Sequence, residues 1–146
     1  MRKKWCLLFI TALMVYQSSA NASNKVLPER NYFQFEIANY HTTRQSGQTL
    51  NVYVRYAYQQ NLDTKLYPDY RKLRDQSMKY LEPTAELPVN VYWEIIATQL
   101  GKDLMQNYPL RAISVQLVVL DNPAGNEPGT HGPVYTIGDI APLDVH

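Results

Sequence analysis

The sequence predicts an α+β domain in the order β-β-α-α-β-β: one antiparallel four-stranded sheet with two helices on one face. Three observations carry this. Two runs of period-two alternation flank a polar, glycine-containing turn; two segments with apolar spacing of three to four follow; and period two returns after Pro109.

In the first run Phe33, Phe35 and Ile37 alternate with Gln34, Glu36 and Ala38, the pattern of a half-buried strand. After "HTTRQSGQ", Leu50, Val52, Val54 and Tyr56 alternate with Asn51, Tyr53, Arg55 and Ala57, so the two runs read as a hairpin. Pro68-Asp69 marks a helix start, with Asp69 as the cap and Tyr70, Leu73, Ser77 or Met78, and Leu81 on one side. A second helix is expected to begin near Thr84 to Pro88. Its stripe would be Val89, Trp93, Ile96, Leu100 and Leu104, ending at Asn107-Tyr108-Pro109. Ile113, Val115, Leu117 and Val119 then alternate with Ser114, Gln116 and Val118. "DNPAGNEPGTHGP" is a turn-rich connection, and Val134 to Ile137 a short closing strand.

Residues 1–22 are read as a secretory signal peptide. Arg2, Lys3 and Lys4 precede an apolar stretch from Trp5 to Tyr16, too short to span a bilayer, and Ala20-Asn21-Ala22 offers a small-x-small cleavage site. Residues 23–146 would then be a single domain of 124 residues, periplasmic or extracellular, with no membrane insertion of the mature chain. Removing the leader leaves eleven basic and thirteen acidic residues, which gives no footprint for nucleic acid. The one cysteine, Cys6, lies in the leader, so neither disulfides nor a thiol nucleophile are available to the mature chain.

"GQTLNVYVRYAYQQNLDTKLYPDYRKLR" resembles the second strand and first helix of 6-pyruvoyl- and 6-carboxy-tetrahydropterin synthases, and "PTAELPVNVYWEII" resembles their Pro-Thr-x-Glu lead-in to the second helix. The resemblance runs from about Phe33 to Ile137. It implies the tunnelling fold, whose subunits join their sheets into an oligomeric barrel. It does not carry the chemistry across. Those synthases hold zinc with three histidines; here His41 stands near the first, while Ser46-Gly47-Gln48 replaces the other two. Neither serine nor glutamine substitutes for a neutral imidazole on zinc. The nucleophilic cysteine and the Asp-His segment are also missing, so no metal, no cofactor and no catalytic residue are expected.

Five residues remain as ligand-binding candidates: His41, Gln48, Glu94, Asp121 and His131. Asp121 ends the third strand, about where the synthases place a glutamate that reads the pterin ring, but Asp121-Asn122-Pro123 is also a good turn initiator. Glu94 lies near a ring-anchoring glutamate of the related dihydroneopterin aldolases, and is equally a solvent-facing helix residue. His131 gains interest if a cleft lies beside it. The twelve tyrosines suit a surface buried on association, or an aromatic ligand platform.

The reading that follows is an exported, non-catalytic domain that forms homo-oligomers and binds a small heteroaromatic, pterin-like ligand. The alternatives are an enzyme acting on a nitrogen heterocycle without zinc, and a structural component of an envelope assembly.

Overall fold

A computed structural model of the chain describes residues 31–120 and 130–145. The leader, Asp121 and His146 lie outside the described residues. The elements are β1 (Phe33–Thr42), β2 (Gln48–Tyr58), α1 (Tyr70–Lys79), α2 (Trp93–Asn107), β3 (Leu110–Val119) and β4 (Val134–Ile137). The strands form one antiparallel sheet in the order β1-β2-β3-β4. Both helices pack on the same face, and the predicted order and class hold.

The core lies between sheet and helices. Phe35, Ile37, Leu50, Val52, Val54, Tyr56, Ile113, Val115, Leu117 and Val119 come from the strands, and Leu73, Trp93, Ile96, Leu100 and Leu104 from the helices. Gly101 lets α2 approach β4 closely. A Cβ there would stand 2.4 Å from the Tyr135 ring.

Strand β1 carries a bulge. Its register against β2 shifts between Ile37 and Tyr40, with Asn39 at φ 53 and its N–H donating to Asn51 Oδ1 at 2.7 Å.

The start of α1 is as predicted: Asp69 accepts from Arg71 N at 3.0 Å and pairs with the Arg71 guanidinium. Those hydrogen bonds lower its carboxyl to about 2. The start of α2 is not as predicted. Thr84 to Tyr92 is a folded connection, and the helix begins at Trp93. Thr84 Oγ1 does accept a backbone N–H, from Leu87 at 3.1 Å, but it caps a turn closed by Thr84 N donating to Leu87 O. Val89, expected on the buried stripe, is 41% exposed. Glu86 is exposed ahead of the helix rather than within its first turn. The proline and threonine signals belong to a turn because the connection is anchored from outside, by Arg44.

On the face of the sheet away from the helices, the polar positions Ser114 and Gln116 of the alternating β3 pattern are buried, because residues 141–145 cross that face.

Several tyrosines gather at the end of the sheet where β1 begins. Tyr58 and Tyr67 stack with ring centres 4.0 Å apart, Tyr56 meets Tyr58 edge-on at 5.4 Å, and Phe33 stacks on Tyr70 at 5.4 Å.

Candidate functional site

The opposite end of the sheet collects the residues nominated from the sequence. Thr42 pairs with Gln48, His41 with Thr49, and Val119 with His131, while Leu120 N donates to Thr49 O at 2.9 Å. His41, Gln48 and His131 therefore lie along one end. Asp121, next to Leu120 in sequence, is outside the described residues. Trp93 Nε1 donates to Gln48 Oε1 at 2.9 Å, which brings the first turn of α2, with exposed Glu94, to the same end.

These residues do not converge on one point. Gln48 faces the helices, whereas exposed His41 is on the opposite face, its Nδ1 3.3 Å from Thr49 Oγ1. His41 and His131 stand three strand spacings apart, on the order of 14 Å, too far to share an ion. Among the described residues no three His, Cys, Asp or Glu side chains group as a metal site. His41 also lies within β1 rather than in the connection that follows it.

Between the strand end and α2 is a cleft of about 330 Å³, lined by Gln45, Ser46, Val89, Asn90 and Tyr92. One wall is a tight turn in which Gln45, Ser46 and Gly47 have φ of 48, 71 and 83. Two consecutive non-glycine residues in the left-handed region cost roughly 1–2 kcal/mol each. The other wall is the Val89–Tyr92 segment, with Tyr92 71% exposed.

Both walls are tied to Arg44, which the sequence reading passed over. Its side chain is fully buried and donates to four main-chain carbonyls: Tyr80 O (3.2 Å), Glu82 O (2.8 Å), Leu87 O (3.0 Å) and Pro88 O (2.7 Å). Its own main chain continues into Gln45, whose Nε2 donates to Val91 O at 3.2 Å. Around this guanidinium, Thr42 Oγ1 donates to Leu81 O, and Tyr40 and Thr43 donate to the Glu82 carboxylate. Burial alone would raise the Glu82 carboxyl. The hydrogen bonds from Thr43 and Tyr40, with the charge of Arg44, hold it below its ordinary range.

A larger cleft of about 510 Å³ lies between the helices, lined by residues such as Gln76, Tyr80, Glu86 and Asp103. Its polar groups largely satisfy one another, since Asp103 accepts from Gln76 Nε2 and from Asn107 Nδ2. Burial, with a hydrogen bond to Asp103, pushes Tyr80 up to about 12. None of the residues nominated from the sequence lines either of these two clefts; the smaller one lies at the sheet end that holds His41 and Gln48, against the turn between β1 and β2, and is the better candidate on that ground. His131 borders a third cleft of about 260 Å³, with Gln116, Val118 and Asp144.

No protein-family model matches the chain, and no curated protein matches it. Solved structures do. The chain is similar to dihydroneopterin aldolase from E. coli in complex with neopterin (TM-score 0.55, 12% identity, 73% of this chain and 99% of that one). It is similar to a dihydroneopterin aldolase from Burkholderia thailendensis bound to guanine (0.51, 12%, 75% and 93%). A third similar structure is an archaeosine synthase QueF-Like in the apo form (0.50, 9%, 78% and 100%). The architecture is the tunnelling fold. At these identities the likeness is one of fold, and the narrower resemblance to tetrahydropterin synthases rests on the local sequence phrases.

Proposed function

We propose that this chain is an exported, non-catalytic tunnelling-fold domain that self-associates and binds a small planar nitrogen heterocycle of pterin-like chemistry. The ligand sits between the Gln45–Ser46 turn and the Val89–Tyr92 segment. The observation that carries this reading is the state of position 48, whose carboxamide turns into the core and accepts from Trp93 instead of facing a ligand or metal. What the cleft presents is recognition chemistry. Exposed Tyr92 supplies a ring face for stacking, and Gln45 and Asn90 supply amide donors and acceptors for a heterocycle edge. Two of the similar structures carry guanine and neopterin, which supports this ligand class.

Association is the second half of the proposal. The sheet order leaves β1 and β4 at its edges, and edge-to-edge joining of subunits would pair their free backbone groups. Among the described residues no helix is long and apolar enough to cross a membrane.

Titration calorimetry with neopterin and with guanine tests the ligand. Saturable binding to the intact chain, weakened at least tenfold by Tyr92→Ala, is expected, and no heat with either heterocycle overturns the reading. Recovery of converted neopterin would favour the enzymatic alternative. About one zinc per chain, lost on His41→Ala, would restore a metal site. Export is tested by N-terminal sequencing of the protein recovered from its cell, expected to begin near Ser23.

A further inference from the structure

Tyr58, the last residue of β2, and Tyr67, just ahead of α1, are brought together by the connection between them. Their rings lie face to face, centres 4.0 Å apart and planes inclined by 19°, closer than the roughly 4.5–7 Å usual for aromatic pairs. Every other aromatic pair among the described residues stands at 5.4 Å or more. Backbone bonds hold the approach in place. Gln59 N donates to Pro109 O at 3.0 Å, Asp63 Oδ1 accepts from Lys65 N at 2.9 Å, and Tyr67 N donates to Thr64 O at 3.2 Å.

The pair is open to a reagent. Tyr67 is 44% exposed and Tyr58 is half-buried. Tyr56, edge-on to Tyr58 at 5.4 Å, is the contrast, because its hydroxyl is buried with no group placed to take its proton. Burial, beside the Tyr58 phenol, pushes Tyr56 well above the ordinary phenol value. The inner ring therefore keeps its proton, and an oxidising equivalent is confined to the outer two. The described residues contain no cysteine, so a covalent link among them has to use other side chains.

We propose that Tyr58 and Tyr67 are a site of oxidative modification, coupling to dityrosine when a haem peroxidase turns over hydrogen peroxide at the protein surface. Each phenol yields one electron and one proton, and the two phenoxyl radicals form one carbon–carbon bond between the positions ortho to their oxygens. The hydrogen on each bonded carbon is then replaced by one on the oxygen, restoring both hydroxyls. The chain loses two hydrogens in all, and one peroxide takes up two electrons and two protons to become two waters. The stack supplies the proximity that lets coupling within a chain outrun coupling between chains. The new bond closes residues 59–66 into a covalent loop, a constraint of the kind a disulfide imposes.

The test exposes the folded chain, at micromolar concentration, to a haem peroxidase and hydrogen peroxide. Dityrosine fluorescence is expected to appear on the single-chain band, with an intact mass lower by two hydrogens and one linked pair of proteolytic peptides carrying Tyr58 and Tyr67. Tyr67→Phe keeps the ring and removes only the phenol, and the yield of dityrosine within single chains should fall at least tenfold, although Tyr92, 71% exposed, is untouched. Should that variant fail to fold, Tyr58→Phe serves in its place with the same expected loss. Linked peptides that pair other tyrosines overturn the proposal, as does coupling only between chains, an undiminished yield in the phenylalanine variant, or a folded chain that forms no dityrosine.

Discussion

Trp93 and Gln48 hold each other across the junction of α2 and β2, the indole N–H donating to the carboxamide oxygen at 2.9 Å inside the core. Position 48 is therefore a structural tie between a strand end and a helix start. Gln48→Leu keeps the approximate volume and leaves the indole N–H without its acceptor, at an expected cost of about 1–3 kcal/mol. Urea unfolding should show a lower midpoint with an unchanged slope. An unchanged midpoint would mean that the tie contributes nothing.

Arg44 is expected to be the most sensitive polar residue of the domain. Arg44→Met strips the donor from four carbonyls of the helix connection, and a loss of about 3–5 kcal/mol is expected, comparable to breaking other buried charged networks. Arg44→Lys should recover only part of it, since an ammonium cannot reach carbonyls that a planar fork reaches together. Hydrogen exchange should quicken across residues 86–92 while the middle of α2 stays protected. Uniform quickening over the whole chain would contradict this local role.

Tyr80 supplies a pH dependence with a defined sign. Its folded-state value lies near 12, above the 10.0 of a free phenol, because of burial and its hydrogen bond to Asp103. Its contribution to stability is complete below pH 10 and disappears as pH rises from 10 toward 12. Burial raises Tyr40, Tyr53, Tyr56 and Tyr108 as well, so the informative quantity is the difference between the chain and Tyr80→Phe. The two unfolding curves should converge over that window. A constant difference would remove Tyr80 from the alkaline transition.

The edges of the sheet should govern association. Val134 and Ile137, at the ends of β4, are 44% and 41% exposed. Replacing them with lysine and glutamate should shift the protein to single chains in light scattering at micromolar concentration, with little change in the unfolding midpoint. A native chain already monomeric at those concentrations would count against association through this edge.

Much of the architecture was legible because it is written in local signals. Asp69 caps α1 as its position before Tyr70 implies, and the alternation from Ile113 to Val119 marks β3. The start of α2 was misplaced because Thr84 and Pro88 serve a turn as well as they serve a helix. The choice between the two is made by an arginine forty residues earlier. In sequence, Arg44 stands in a polar turn and looks solvated; only the fold surrounds it with carbonyls. The cover over Ser114 and Gln116 was equally hidden, since "APLDV" carries no periodicity of its own and acquires shape from the side chains beneath it. His41, Gln48 and His131 share one end of the sheet, as the antiparallel pairing requires, but sequence spacing could not reveal that Gln48 and His41 look in opposite directions.

That opposition has a single origin. Counting by twos from Phe35 and Ile37 would carry the inward set on to Asn39 and His41, yet Tyr40 and Thr42 are the residues that pair opposite Leu50 and Gln48. The extra residue at the bulge works as a switch of parity halfway along the strand. It hands the interior to a hydroxyl that Leu81 can accept and turns the imidazole out of the domain. Deleting Ala38 would exchange the two addresses, pressing a histidine into the helix layer and leaving the Arg44 junction without its threonine. One residue of chain length, rather than any property of His41 itself, decides which side of the protein that histidine serves.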